Sequence, residues 1–150
     1  MAEAFTFEWD VLPQVIAEVR RGTLYPFKPA GPETDAELME NPTTVLGAAF
    51  HDSEPVGCIA VLDESKHDCA LRVRWLGVEE LHRGKGVGSK LVQAAQVCAA
   101  TRQEALWADV RVKAIPIYDR LGFEVCGDFF ELPEIGQHRV MCWWPEGLQP

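Results

Sequence analysis

Long apolar runs are missing from this chain. Nowhere among its 150 residues does one approach the ~20 needed to span a bilayer, and residues 1–9 show no basic region followed by an apolar stretch, so a cytosolic protein without secretory leader or membrane contact is expected. Basic residues are also few: 14 Lys and Arg stand against 23 Asp and Glu, a formal net charge of -9. That balance argues against a general nucleic-acid binder, which needs clustered cations for phosphate contacts. It is compatible with a cationic small substrate, but a solvated acidic surface explains it more simply, because net charge says little about any one pocket. The five cysteines are odd in number, scattered, and contain no Cys-x-x-Cys pair. With His51, His67, His82 and His138 they complete no metal-ligand spacing, so neither a metal site nor a disulfide framework is expected. Cys58, Cys98, Cys126 and Cys142 sit among apolar residues and read as reduced core residues.

What is present fits one domain covering residues 1–150, long enough to bury roughly 70% of the unfolded surface. Residues 5–9 alternate as a short strand does. Asp10 then reads as the cap of a helix running to about Arg21, with Val11, Val15, Ile16 and Val19 as its apolar stripe. Residues 22–42 hold Pro26, Pro29, Pro32 and Pro42 and read as an irregular excursion, a lid over a site. Residues 43–51 and 56–63 form a hairpin about Asp52-Ser53-Glu54-Pro55. A longer strand spans 70–78, where Leu71, Val73 and Trp75 alternate with Arg72 and Arg74 until Gly77, a residue that in a strand marks a bulge or a close backbone approach. A helix over 87–102 carries the stripe Val87, Leu91, Ala95 and Cys98. A strand at 105–110, a helix closing at Leu121-Gly122, and strands at 123–132 and 138–143 complete the chain. This order predicts a mixed, mostly antiparallel α/β sandwich with helices on both faces, not a doubly wound sheet. Trp143-Trp144 either packs across an edge or meets a second copy in a homodimer.

The chemistry concentrates between residues 76 and 89, where, beyond Gly77, three glycines and two cations join a strand to the start of a helix. The first N–H groups of a helix lack intrahelical partners and the helix dipole adds positive charge, so an anion such as pyrophosphate satisfies both. Gly84, Gly86 and Gly88 let the backbone wrap phosphate oxygens, while Arg83 and Lys85 add charge-assisted hydrogen bonds. A P-loop is rejected because Ser89 stands five places after Gly84 where Gly is needed; a dinucleotide fingerprint fails because Ser89 or Leu91 occupies its last glycine position.

Arg83-x-x-Gly86-x-Gly88, after a long strand and before an amphipathic helix, resembles the coenzyme A loop of the GNAT superfamily of N-acetyltransferases. Residues 114–123, Ala-x-x-x-Tyr-x-x-x-Gly-Phe, resemble that family's helix-to-strand segment. The tail at 127–130 and 135–141 is similar to the ElaA-like subset, where a His closes a short loop before the last strand. The resemblance implies an acetyl-CoA-dependent transferase acting on an amine of a small molecule or peptide. It also implies a bulge near Gly77 that splays the fourth and fifth strands, with pantetheine bonded to the backbone around Leu76 and Val78. The pyrophosphate would sit on Arg83, Gly84, Lys85, Gly86, Val87, Gly88 and Ser89.

By the same resemblance Tyr118 is the general acid that protonates the departing thiolate. An amine with a pKa near 10.4 must lose a proton before attack, and Glu79, Glu80, Asp109 and His138 are the candidate bases, His138 being the one singled out. The family often has Asn three places before the motif alanine, where this chain has Arg111, which reads as a surface arginine or a phosphate ligand. Pro116 is tolerable if its helix begins near Ile115. A non-catalytic acyl-CoA sensor on the same fold is the competing reading.

Overall fold

The computed structural model describes residues 4–28 and 36–148. Seven strands, β1 (Thr6–Trp9), β2 (Val45–His51), β3 (Glu54–Lys66), β4 (Cys69–Val78), β5 (Leu106–Arg111), β6 (Glu124–Leu132) and β7 (Gly136–Trp143), form one sheet in the order β1-β2-β3-β4-β5-β7-β6. All neighbours are antiparallel except β4 and β5, which run parallel. The helices α1 (Pro13–Leu24), α2 (Val87–Arg102) and α3 (Ile115–Arg120) accompany them.

Alternate strand residues feed two cores on opposite faces of the sheet, which is why helices are needed on both. Ile59 and Val61 of β3 pack with Val87, Leu91 and Ala95 of α2. Cys58 and Ala60, their neighbours in sequence, pack instead with Ile16, Val19 and Leu24 of α1. The expected α/β architecture with helices on both faces is therefore present.

One strand changes sides partway. Leu71 and Val73 of β4 belong to the α2 face, yet Trp75 belongs to the α1 face. The ladder shows why: Cys58 pairs with Gly77 but Ala60 pairs with Arg74, so Trp75 and Leu76 together oppose Ile59. This is a β-bulge, and Trp75 holds left-handed backbone within it, at φ 56°. Burial alternates evenly along the whole strand, so nothing in the hydrophobic pattern betrays the switch. Gly77 is not the bulged residue. A Cβ there would collide with Thr23 Oγ1, so the glycine serves the close approach of α1.

Beyond the bulge β4 leaves its parallel neighbour. Pairing with β5 covers only Leu71–Val73 against Leu106–Ala108, although both strands continue. The splay implied between the fourth and fifth strands is thus a feature of the sheet.

Three expectations need correction. Asp10 does not cap α1; it occupies a left-handed turn at φ 62°, and the helix starts at Pro13, whose fixed φ and missing N–H suit a first position. The backbone N–H of Val11 instead bonds Leu46 O, tying the chain to β2. Cys126 and Cys142 are not reduced: they form a disulfide between β6 and β7 with Cα atoms 6.0 Å apart. A ladder irregularity between Val125 and Phe129 shifts the register beside Cys126, a tertiary fact invisible in a spacing of 16 residues. Cys98 is only partly buried, whereas Cys58 and Cys69 are buried thiols. Part of the expected lid, residues 29–35, lies outside the described residues; the segment after it carries a 3-10 turn, Glu37–Met39, anchored by buried Leu38. Among the described residues no helix is long and apolar enough to cross a membrane.

Candidate active site

The splay opens a cleft of about 390 Å³ between the end of α1, the second half of β4 and the start of α2. Leu76, Val78, Arg83, Gly84, Gly86, Val87, Gly88 and Ser89 all line it; Lys85, expected with them, does not and is exposed. The three glycines do different work. Gly84 at φ 77° and Gly86 at φ 85° hold left-handed backbone with open space where a Cβ would be, so they shape the turn that aims the first N–H groups of α2. Gly88 is buried, and a Cβ on it would press to 3.2 Å from Ile117 Cδ1, so it admits α3 against α2. Arg83 donates from Nε to Val78 O at 2.9 Å, bracing the loop on the end of β4.

Sequence reasoning did not single out His82, Lys113 or Arg120, yet they line the same cleft. A 16-residue helix opening without a side-chain cap, under a ring of cations, suits a polyphosphate. The glycine-shaped turn and the gap between strands leave room for a ligand with a polyphosphate end and a long arm.

A second cavity, about 120 Å³, lies on the α1 face and shares Leu24, Leu76, Arg111 and Ala114 with the first. Tyr118 reaches this cavity from α3, whereas Arg72 and Arg74 come from β4, Asp109 and Arg111 from β5, and His138 from β7. Tyr118 is 4% exposed, set edge-on against Phe123 at 4.9 Å between ring centroids. Burial pushes its phenol well above the ordinary value, so its proton is retained at neutral pH.

His138 is also 4% exposed and stacks on Phe130. Its Nδ1 lies 2.8 Å from Gly136 O. A carbonyl only accepts, so Nδ1 carries the hydrogen, and in the neutral ring Nε2 is left with a free lone pair. That is the tautomer a base needs. Of the other candidate bases, Glu79 and Glu80 line neither cavity. Asp109 lines the smaller one but is held by Arg72 at 3.2 Å.

The three arginines differ in what they have left to offer. Arg72 is bracketed by Glu64 at 3.1 Å and Asp109 at 3.2 Å, over the Trp107 ring. Arg74 has Glu37 at 3.7 Å, beyond hydrogen-bond reach, and feels Glu64 from farther off. Arg111 donates to Leu24 O at 2.9 Å, so it is not the surface arginine expected but a half-buried clamp from β5 to the end of α1. Burial, then the charge of Arg72, holds Arg74 below its ordinary value; burial does the same to Arg111. An anion in the cavity relieves both.

Known proteins share this architecture. E. coli ElaA superposes with a TM-score of 0.73 at 12% identity, over 93% of this chain and 99% of its own. An aminoglycoside 6'-N-acetyltransferase complexed with coenzyme A gives 0.71 at 16% identity, over 92% and 93%. At such identities these show a common fold. The N-acetyltransferase YitI of Bacillus subtilis (strain 168), itself uncharacterized, is 33% identical over 73 residues, 48% of this chain and 49% of YitI, so the match spans about half that relative's length. A profile of the acetyltransferase (GNAT) domain matches residues 43–125, more than half of the 150, and the chain belongs to the GNAT acetyltransferase family.

Proposed function

We propose that this protein is an acetyl-CoA-dependent N-acetyltransferase whose acceptor carries its amine next to an anionic group. The observation that carries the reading is the adjacency of the two cavities: a cleft suited to a polyphosphate arm shares Leu24, Leu76, Arg111 and Ala114 with a small chamber lined by both a candidate acid and a candidate base. Bound acetyl-CoA supplies a thioester carbonyl for attack and a thiolate to leave. His138 Nε2 takes the proton that the acceptor ammonium must lose, directly or through a water. Tyr118 Oη gives its proton to the departing sulfur, and the second proton, which the nitrogen loses as the amide forms, restores the phenol. One C–N bond forms, one C–S bond breaks, and the thiol departs protonated.

The chamber's charge is opposite to the chain's. Although the whole carries -9, Arg72, Arg74 and Arg111 line the chamber against one carboxylate, Asp109, among the described residues. The charge of Arg72 is matched by Glu64 and Asp109, although its buried Nε has no partner, and Arg74 and Arg111, which face no carboxylate within hydrogen-bond distance, are the groups to fix a carboxylate or phosphate. An amine borne by an amino acid or an acidic peptide fits this arrangement better than a polyamine.

The test is a panel of free amino acids, acidic dipeptides, their amides, polyamines, aminoglycosides and lysine peptides, followed by thiol release and mass spectrometry. Anionic amines are expected to give the highest kcat/KM, with one thiol per N-acetyl product. Preference for polycations overturns the acceptor assignment, and acetylation confined to hydroxyl or thiol groups overturns the amine. Tight acetyl-CoA binding without acceptor-dependent thiol release assigns the fold to a sensor.

A further inference from the structure

Behind Arg74 of the smaller cavity lie two charges, Arg20 and Glu37, that the transfer reaction does not use. Arg20 of α1 is fully buried, its guanidinium 4.3 Å from the centroid of the Trp75 ring and 5.0 Å from that of Tyr25. Its Nη2 donates to Glu37 Oε2 at 2.6 Å. The other oxygen of the same carboxylate, Oε1, faces Arg74 Nη2 at 3.7 Å. Arg74 in turn lies 4.4 Å over Trp75, so the bulged indole is held between two guanidinium groups. Arg74 lines the cavity, while Arg20 and Glu37 do not.

The two oxygens of Glu37 are treated unequally. One makes a short, charge-assisted bond to a fully buried cation. The other attracts Arg74 across a gap too long for a hydrogen bond, so the Arg74 N–H donors remain available to a ligand. A carboxylate at that distance lowers the positive potential the cavity presents and repels an incoming anion. Leu38, 1% exposed, anchors the turn that carries Glu37 and keeps the carboxylate in place.

We propose that Glu37 is a resident counter-charge for Arg74, tethered by Arg20, which sets how strongly the acceptor's anionic group is bound and gives way to it when it arrives. Glu37 is a specificity-determining residue, not a catalytic one. This rests on the reading that an acceptor anion binds Arg74, and the experiment separates the two.

The probe is inorganic phosphate titrated calorimetrically into protein saturated with coenzyme A, so that the phosphate sites of the larger cleft are filled. Glu37→Gln, which keeps the shape and removes the charge, is expected to bind phosphate about tenfold more tightly than the parent, the scale of one partly screened charge pair. Glu37→Asp, which keeps the charge, is expected to stay near the parent. Arg74→Gln is expected to lose binding. Unchanged or weaker binding by Glu37→Gln, with loss in Arg74→Gln, overturns the counter-charge and leaves the anionic acceptor standing. Phosphate binding that survives in Arg74→Gln, or is absent from parent and Glu37→Gln alike, overturns both. Because Glu37→Gln removes a charge beside a buried cation and can fail to fold, the parent provides a second readout. In a crystal of its coenzyme A and phosphate complex, Arg74 is expected on the phosphate with its distance to Glu37 lengthened and the Arg20–Glu37 bond intact. A shortened Arg74–Glu37 contact beside bound phosphate overturns the proposal.

Discussion

Arg111 and His138 face each other across the β5–β7 ladder, the last pair of that register before the strands part. Cross-strand partners share a face of the sheet, so a cation suited to an acceptor's anion and an imidazole suited to its amine stand side by side. His138→Ala is expected to lower kcat/KM by about 10², the scale of one general base. Added imidazole should recover part of the loss, since the truncated side chain leaves room for it. A variant within twofold of the parent would return the base role to Asp109 or to solvent.

Tyr118→Phe is expected to lower kcat by about 10² or more while acetyl-CoA affinity hardly changes. The phenol is buried and its proton retained, so the substitution removes a donor without removing the ring that packs on Phe123. Single-turnover rates, which isolate chemistry from release, provide the check. A change confined to KM would leave Tyr118 a packing residue.

Acetyl-CoA at about 100 times its dissociation constant should stabilise the parent by roughly 2.7 kcal/mol. Gly86→Glu should abolish that gain, because it forces a side chain onto left-handed backbone and sets a negative charge at the opening of α2. Gly86→Ala carries the strain without the charge and is expected to keep part of the shift. Thermal melts with and without ligand decide it, and an undiminished shift in Gly86→Glu places the anion elsewhere.

Gly77→Ala tests how α1 seats on the bulge. Its Cβ would meet Thr23 Oγ1, which already donates to Val19 O at 2.7 Å, and would lie 3.3 Å from Leu24 Cγ. The expected cost is about 1–3 kcal/mol from overpacking. Thr23→Ala in the same chain should recover much of it, a coupling read from urea midpoints of the two single variants and the double.

Stability should fall steeply in alkali. Cys58 is wholly buried with its S–H directed to Trp75 O, and burial pushes its thiol up to about 12 from 9.0. Above pH 9 the unfolded chain ionises this thiol while the native chain keeps it neutral. The contribution is therefore complete below that pH and is lost as pH climbs toward 12, at about 1.4 kcal/mol per pH unit. Cys69, pushed up to about 11 chiefly by burial, and Tyr118 act in the same direction. Both remain in Cys58→Ala, so a shallower alkaline slope in that variant isolates Cys58. Equal slopes would mean that the thiol ionises in the native state.

Local chemistry was legible wherever neighbours in sequence decide the outcome. Helix α2 runs over the expected residues 87–102 because the glycines before it and the apolar spacing within it act over a few residues. Pro116 in a first turn and Gly122 at φ 89° closing a helix were readable for the same reason. The tertiary structure decided what depends on residues far apart. The face change at Trp75 needs the register of β3 as well as of β4, and it leaves the burial alternation of its own strand intact. The Cys126–Cys142 bond needs the pairing of β6 with β7. The cationic chamber draws Arg74, Arg111 and His138 from three strands, and its sign is the reverse of the chain's net charge. Composition sums charge over a surface, whereas a pocket is a local selection made by strand register, and only the folded sheet makes it.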